Sequence, residues 1–137
     1  MRSYARETVF KYTFSQLFNP DDEGLFSVLL SEGKVNGKLS DSDAEFATEL
    51  LKYIEDNSER YIDKISDLSI GFKIERVLNA DKCAIMLGMA ELDFYKDTPV
   101  PVIIDEAVKI VAKYSTEKST DYVNGILSTY AKETRNG

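Results

Sequence analysis

Residues 97–127, DTPVPVIIDEAVKIVAKYSTEKSTDYVNGIL, contain the pattern that decides the fold. Thr98-Pro99 and Pro101 mark the start of a helix, because proline tolerates the first helical turn, where its missing N–H would have no partner. Ser119 is the predicted N-cap of a second helix. Residues at helical spacing form a stripe in each half: Ile104, Val108, Val111 and Ser115, then Val123, Ile126, Leu127 and Tyr130. The stretch therefore predicts two helices joined by a short polar loop.

Gly125 lies inside the apolar stripe of the second predicted helix. A glycine in a helix interior costs about 1 kcal/mol relative to alanine. We therefore expect another backbone to pass close to the helix at this position.

Helical patterning extends over nearly the whole chain, and strand-like alternation is absent. The run from Ser40 to Asp43 predicts a capped third helix, and Ser58 is predicted to open a fourth. Residues 84–92 are apolar almost all round, which predicts the most buried helix. We expect an all-α fold of seven or eight helices within a single domain, 1–137. Two small bundles are expected inside it, an N-terminal subdomain of about residues 1–67 and a C-terminal one of about 68–137.

Composition excludes several classes of protein. The chain has 137 residues, no histidine and a single cysteine, so the commonest general base and metal ligand are missing and no internal disulfide can form. The one thiol, Cys83, lies in an apolar helix without a histidine partner and is predicted to be buried and inert. The stretch from Arg2 to Asn19 is charged and periodic, unlike a signal peptide, and no apolar run approaches the roughly 20 residues that a membrane helix requires. We expect a cytoplasmic protein with no enzymatic activity, metal, cofactor or membrane contact.

The net charge of −7 argues against a general affinity for nucleic acid, so any RNA site must be a local basic patch. Arg2 and Arg6 lie one turn apart at the start of the first helix, with Lys11 on the neighbouring face. Arg6 falls within the apolar stripe, where it either pairs with an acidic group of another helix or projects toward a phosphate. Lys118 and Tyr122 add a cation and an aromatic ring, a mixture that suits single-stranded RNA. The alternative is a solubilising lysine and a tyrosine at the edge of the core, and for the lysine alone this alternative is favoured.

Three groups of residues resemble the motifs of the bacterial NusB family. Ala5-Arg6-Glu7 is similar to the A-R-E of its first helix, and Asp81-Lys82 opens a central block that matches in part. The strongest similarity is at the C-terminal signature: Pro99, Val102, Ile104, Glu106-Ala107-Val108, Ser119 and Tyr122-Val123-Asn124-Gly125-Ile126-Leu127. The chain departs from the family at Met86, where arginine is usual, and at Ala90, where tyrosine is usual. Ser3-Tyr4 stand where the family often has arginine.

The resemblance implies a transcription antitermination factor. Proteins of this family bind boxA-type single-stranded RNA together with NusE, a small-subunit ribosomal protein, within the transcription elongation complex. The pair promotes processive transcription of ribosomal RNA genes. Carried over by position, the RNA-binding residues are Arg2, Arg6 and Lys11, with Lys118 and Tyr122 as additions, and Asp81 is the candidate contact for NusE. The resemblance implies no cofactor or metal, and the family includes both monomers and homodimers.

Two alternatives stay open. The first helix has fewer arginines than is usual in the family, and the net charge is negative. Both features are compatible with a NusB-like protein-interaction module that binds RNA weakly or not at all. A similar domain also precedes the catalytic part of an RNA cytosine methyltransferase, so the chain is alternatively the RNA-binding domain of such an enzyme.

Overall fold

The computed structural model describes residues 1–20, 22, 24–71 and 73–135, and every regular element in them is helical. The α-helices are α1 (Arg2–Gln16), α2 (Leu25–Val35), α3 (Asp41–Leu68), α4 (Asn79–Phe94), α5 (Val100–Tyr114) and α6 (Glu117–Arg135), and a 3₁₀ turn spans Ile74–Arg76. The prediction of an all-α fold is confirmed. None of the described helices combines the length and apolarity needed to cross a bilayer.

The helix count is lower than predicted because the third and fourth predicted helices are one helix, α3. Asn57 and Ser58 do not cap a new helix. The Asn57 side-chain amide donates to the carbonyl of Tyr53 (2.7 Å), and the Ser58 hydroxyl donates to that of Glu55 (3.4 Å). Polar side chains that bond back to the preceding turn remain compatible with a continuous helix. The predicted cap at Ser40 is confirmed, since the Ser40 hydroxyl accepts from the backbone N–H of Asp43 (3.0 Å).

The chain divides into two compact units, Met1–Lys52 and Tyr53–Gly137. This division falls inside α3, and the subdomain boundary at about residues 67 and 68 stays a prediction. In the first unit α1 packs against α2, where the rings of Tyr12 and Phe26 lie 5.2 Å apart. Phe14 continues the aromatic row of α1, with its ring centroid 6.0 Å from that of Phe10.

In the second unit α4, α5 and α6 pack against one another, and α4 is the most buried of the three. All of its residues from Cys83 to Leu92 are buried, as the apolar pattern predicted. Burial raises the pKa of the Cys83 thiol to about 12, because the thiolate would lose its hydration. At neutral pH this thiol is therefore protonated and a poor nucleophile.

The prediction of a close backbone at Gly125 is wrong. A β-carbon added to Gly125 would meet nothing within 4 Å, because this face of α6 is exposed. A close contact with α6 lies instead at Gly88 of α4, and it is made by a side chain. A β-carbon there would lie 2.6 Å from Cδ1 of Leu127.

Helix α6 begins earlier than predicted, at Glu117, so Ser119 lies in its first turn and Thr116 occupies the N-cap position. The Thr116 hydroxyl accepts from the backbone N–H of Ser119 (3.3 Å), and the Ser119 hydroxyl accepts from that of Thr116 (3.4 Å). This reciprocal pair has the arrangement of a capping box. Because Thr116 fills the cap position, the Ser119 hydroxyl is able to serve a second partner.

Candidate nucleic-acid interface

Arg2 lies at the surface of the first unit, at the start of α1. Its Nη2 donates to the Ser42 hydroxyl (3.1 Å), and its Nε lies 3.7 Å from a carboxylate oxygen of Asp43. The guanidinium carbon is 4.4 Å from the centre of the Phe46 ring, a cation–π geometry. Nearly half of the side chain remains exposed, so Arg2 is held in place and still accessible.

Arg6 is different, since only 5% of it is exposed. Its guanidinium carbon lies 5.5 Å from the centre of the same Phe46 ring. A cation buried among side chains supports the structure around it, which favours the structural alternative over direct contact with a phosphate. Lys11 lies on an exposed face, with its Nζ 4.0 Å from a carboxylate oxygen of Glu7, one turn away. The start of α1 thus brings Arg2 and Arg6 together on Phe46, with Lys11 beyond them.

In the second unit, a groove of about 380 Å³ brings together the other three predicted residues, Asp81, Lys118 and Tyr122. We call it the α4–α6 groove. Its walls come from the 3₁₀ turn and the segment after it, from the start of α4, and from the start of α6. The remaining lining residues are Arg76, Val77, Leu78, Thr116 and Ser119.

The floor of the α4–α6 groove is a hydrogen-bonded cluster centred on Asp81, which is 4% exposed. One carboxylate oxygen accepts from the Ser115 hydroxyl (2.8 Å) and the other from the Ser119 hydroxyl (2.9 Å). Both oxygens of the carboxylate therefore have partners inside the chain. Asp81 ties the first turn of α4 to the corner between α5 and α6, and in this way it fixes the shape of the groove.

Tyr122 is partly buried, and its hydroxyl shares a hydrogen bond with that of Ser69. Burial raises the pKa of the Tyr122 phenol, so the hydroxyl stays protonated at neutral pH. A phenol anchored at its oxygen presents its ring in a fixed orientation. Lys118 is exposed at the rim of the same groove.

Sequence reasoning missed Arg76 and Leu78, both exposed in the groove. No local signal in the sequence placed these two residues beside Lys118. The resulting combination of two cations, a half-exposed leucine and an aromatic ring is suited to an unstacked base with its phosphates.

Comparisons with known proteins agree with the resemblance of the motifs. The family model described as the NusB family matches residues 1–132. The transcription antitermination protein NusB of Carboxydothermus hydrogenoformans is 34% identical over 137 residues, covering 96% of this chain and 92% of that protein.

Solved structures agree as well. A crystal form of T. maritima NusB superposes with a TM-score of 0.87 at 32% identity, covering 97% of this chain and 92% of that one. A crystal structure of the antitermination factors NusB and NusE in complex with double-stranded RNA superposes with a TM-score of 0.82 at 27% identity, covering 96% of each chain. On this evidence the chain belongs to the NusB family.

Proposed function

We propose that this chain is a transcription antitermination factor of the bacterial cytoplasm. It binds boxA-type RNA together with NusE and keeps the elongation complex processive through ribosomal RNA genes. The observation that carries the proposal is the solved relative in which NusB is bound to NusE and RNA, because it aligns with this chain over nearly its full length.

Charge supports a joint rather than an independent RNA site. The chain carries 24 acidic and 17 basic residues, so its overall field repels RNA. Of the cations at α1, Arg6 is buried, so only Arg2 and Lys11 are exposed to RNA there. Few phosphate contacts remain, and affinity at physiological salt depends steeply on their number. A basic ribosomal protein at the same RNA would add the missing cations.

Within this proposal, Arg2, Lys11, Lys118 and Tyr122 contact RNA, and Arg6 holds Arg2 in position through the shared Phe46 ring. Asp81 acts on the partner surface indirectly, because its carboxylate is occupied by two serine hydroxyls. It determines where the corner between α5 and α6 lies, and therefore which atoms of that corner face a partner.

Isothermal titration in both orders of addition tests the proposal. We expect weak binding of boxA-type RNA to the chain alone and at least a several-fold gain after saturation with NusE. Thermodynamic linkage then requires RNA to strengthen NusE binding by the same factor. A scrambled RNA of equal length and charge serves as the control, since it retains the phosphate contacts and lacks the sequence.

The engagement of Arg2 and Arg6 within the first unit favours one second candidate, a helical protein-interaction module with little RNA affinity. NusE binding without detectable RNA binding, either by the chain alone or by its complex with NusE, would decide for this module. Equal RNA affinity with and without NusE would refute joint binding.

A further inference from the structure

The chain has five arginines, and four of them are engaged within it. Arg2 bonds to Ser42, and Arg6 is buried beside Phe46. Arg60 pairs with Asp93 (3.0 Å), and Arg135 donates to four backbone carbonyls, those of Glu91, Leu92, Tyr95 and Thr98. Among the described residues, Arg76 is the one arginine whose guanidinium has no hydrogen bond, ion pair or ring contact. Arg76 is thus available for a ligand.

Arg76 lies on the 3₁₀ turn, at the rim of the α4–α6 groove. Leu78, two residues on, is 48% exposed in the same groove, so it offers apolar surface to a ligand. Tyr122 forms another wall, and Lys118 provides a second exposed cation, which also has no partner in the described part of the chain. The lining contains one acidic residue, Asp81, whose two oxygens are already bonded to serine hydroxyls.

We propose that the α4–α6 groove takes one unstacked nucleotide of the RNA, with its base against Leu78 and Tyr122 and a flanking phosphate on Arg76. This inference rests on the proposed function and adds to it a defined base site and a phosphate-binding arginine. Arg76 suits the phosphate because its planar guanidinium can donate two parallel hydrogen bonds.

The volume and chemistry of the groove favour a single nucleotide over a protein segment. At about 380 Å³ it is at the lower end of the range of small-ligand sites, about 300–1,000 Å³. An aromatic ring fixed by a hydrogen bond offers a flat face at little entropic cost, which suits base stacking. Two unpartnered cations at the rim favour an anionic ligand over a basic protein such as a ribosomal one.

The test is fluorescence anisotropy with a labelled, short, single-stranded boxA-type RNA in the presence of saturating NusE. The variant is Arg76→Ala, and the matched control is Lys96→Ala. Lys96 is an exposed lysine beyond the C-terminal end of α4, about 24 Å from the groove at 1.5 Å rise per residue. Both variants lose one positive charge, so a difference between them reports on the groove. Arg76 is exposed and unpaired, so the melting temperature of its variant should not change.

We expect Arg76→Ala to raise the Kd about three- to tenfold and to lower the slope of log Kd against log salt concentration by about 0.7, one phosphate contact. Lys96→Ala should change the Kd and the slope only slightly, because it removes a charge that lies far from the groove. The base site is located by placing one abasic nucleotide at each RNA position in turn. For the nucleotide whose base lies in the groove, removal of the base should weaken binding about five- to hundredfold. Leu78→Ala should weaken binding of that abasic RNA little further, because the base that Leu78 contacts is already absent.

The outcomes separate this inference from the proposed function. If the wild-type chain with NusE binds no RNA, the proposed function fails and the nucleotide site with it. If it binds RNA and Arg76→Ala behaves like Lys96→Ala, the nucleotide site alone is overturned. A loss of NusE affinity without RNA in Arg76→Ala would assign the groove to the protein partner and would also overturn the inference.

Discussion

Leu127 of α6 occupies the space that Gly88 leaves on α4. A β-carbon on Gly88 would lie 2.6 Å from Cδ1 and 2.9 Å from Cδ2 of Leu127, distances at which atoms must move. Leu127 is fully buried, so its side chain has little room to shift. The absence of a side chain at Gly88 therefore sets how closely these two helices pack.

Gly88→Ala should lower the free energy of unfolding by about 1–3 kcal/mol through overpacking against Leu127, even though alanine is the better helix former. Urea unfolding followed by circular dichroism measures this. Gly125→Ala is the matched control: its β-carbon meets nothing, so it should stabilise α6 by up to about 1 kcal/mol. Equal stabilisation by both substitutions would show that Leu127 adapts freely.

The two glycines show what a helical pattern can and cannot predict. The pattern identified the helices and the buried character of α4, because the spacing of apolar residues along the sequence shows which helix faces are buried. It could not distinguish the glycine that faces a neighbouring helix from the one that faces solvent. That distinction depends on the rotation of α6 against α4, a tertiary relationship that no local window contains.

Asp43 makes the first unit sensitive to acid. Hydrogen bonds from the terminal amino group of Met1 and from the backbone of Ser40 lower the pKa of Asp43 to about 2. Because the folded pKa is depressed, this stabilisation is complete above the unfolded value near 3.8 and is lost as the pH falls toward 2.

Asp43→Asn should therefore reduce the melting temperature at pH 6 and flatten its decline between pH 5 and pH 2, as measured by thermal unfolding across that range. Asp41→Asn is the control, since the Asp41 side chain is 93% exposed and its pairing with Lys34 contributes little. A pH profile of Asp43→Asn that matches the wild type would contradict this account.

Asp93 makes the second unit sensitive to alkali. It accepts from the hydroxyls of Tyr61 (2.7 Å) and Tyr130 (2.9 Å) and from Arg60 (3.0 Å). Burial, together with the nearby carboxylate, raises the pKa of Tyr61 and raises that of Tyr130 to about 12. A raised folded pKa means that stability is complete below the unfolded value near 10 and is lost as the pH rises toward 12.

We expect the free energy of unfolding to fall between pH 10 and pH 12, and Tyr61→Phe to make that fall shallower because one ionising phenol is removed. Urea titrations at several alkaline pH values measure the slope. An unchanged slope in Tyr61→Phe would mean that other groups govern alkaline unfolding.

Arg6 and Arg2 are expected to separate stability from RNA binding. Arg6→Ala should cost about 1–3 kcal/mol of stability, because a buried side chain and its packing on Phe46 are lost, while the salt dependence of RNA binding should not change. Arg2→Ala should give the opposite pattern. Melting temperatures and RNA titrations at several salt concentrations are the two measurements. A normal melting temperature with a reduced salt slope in Arg6→Ala would identify Arg6 as an RNA contact.

The candidate site was predictable in part. Lys118, Tyr122 and Asp81 were identified from their residue types and motif positions, and the structure places all three at one groove. The buried state of the Asp81 carboxylate was not predictable, because its serine partners lie more than thirty residues away in the chain. Arg76 was missed for the same reason: its importance comes from the absence of an intramolecular partner, which only the folded chain reveals.

The 3₁₀ turn that carries Arg76 contains no buried residue. Folding therefore places almost no constraint on which side chain occupies that position, whereas the burial of Arg6 restricts its replacement. If Arg76 binds a phosphate as proposed, single substitutions in this turn should change RNA affinity and leave stability unchanged. Natural variation in RNA affinity should accumulate there first, and a library randomised at this turn alone would sample it.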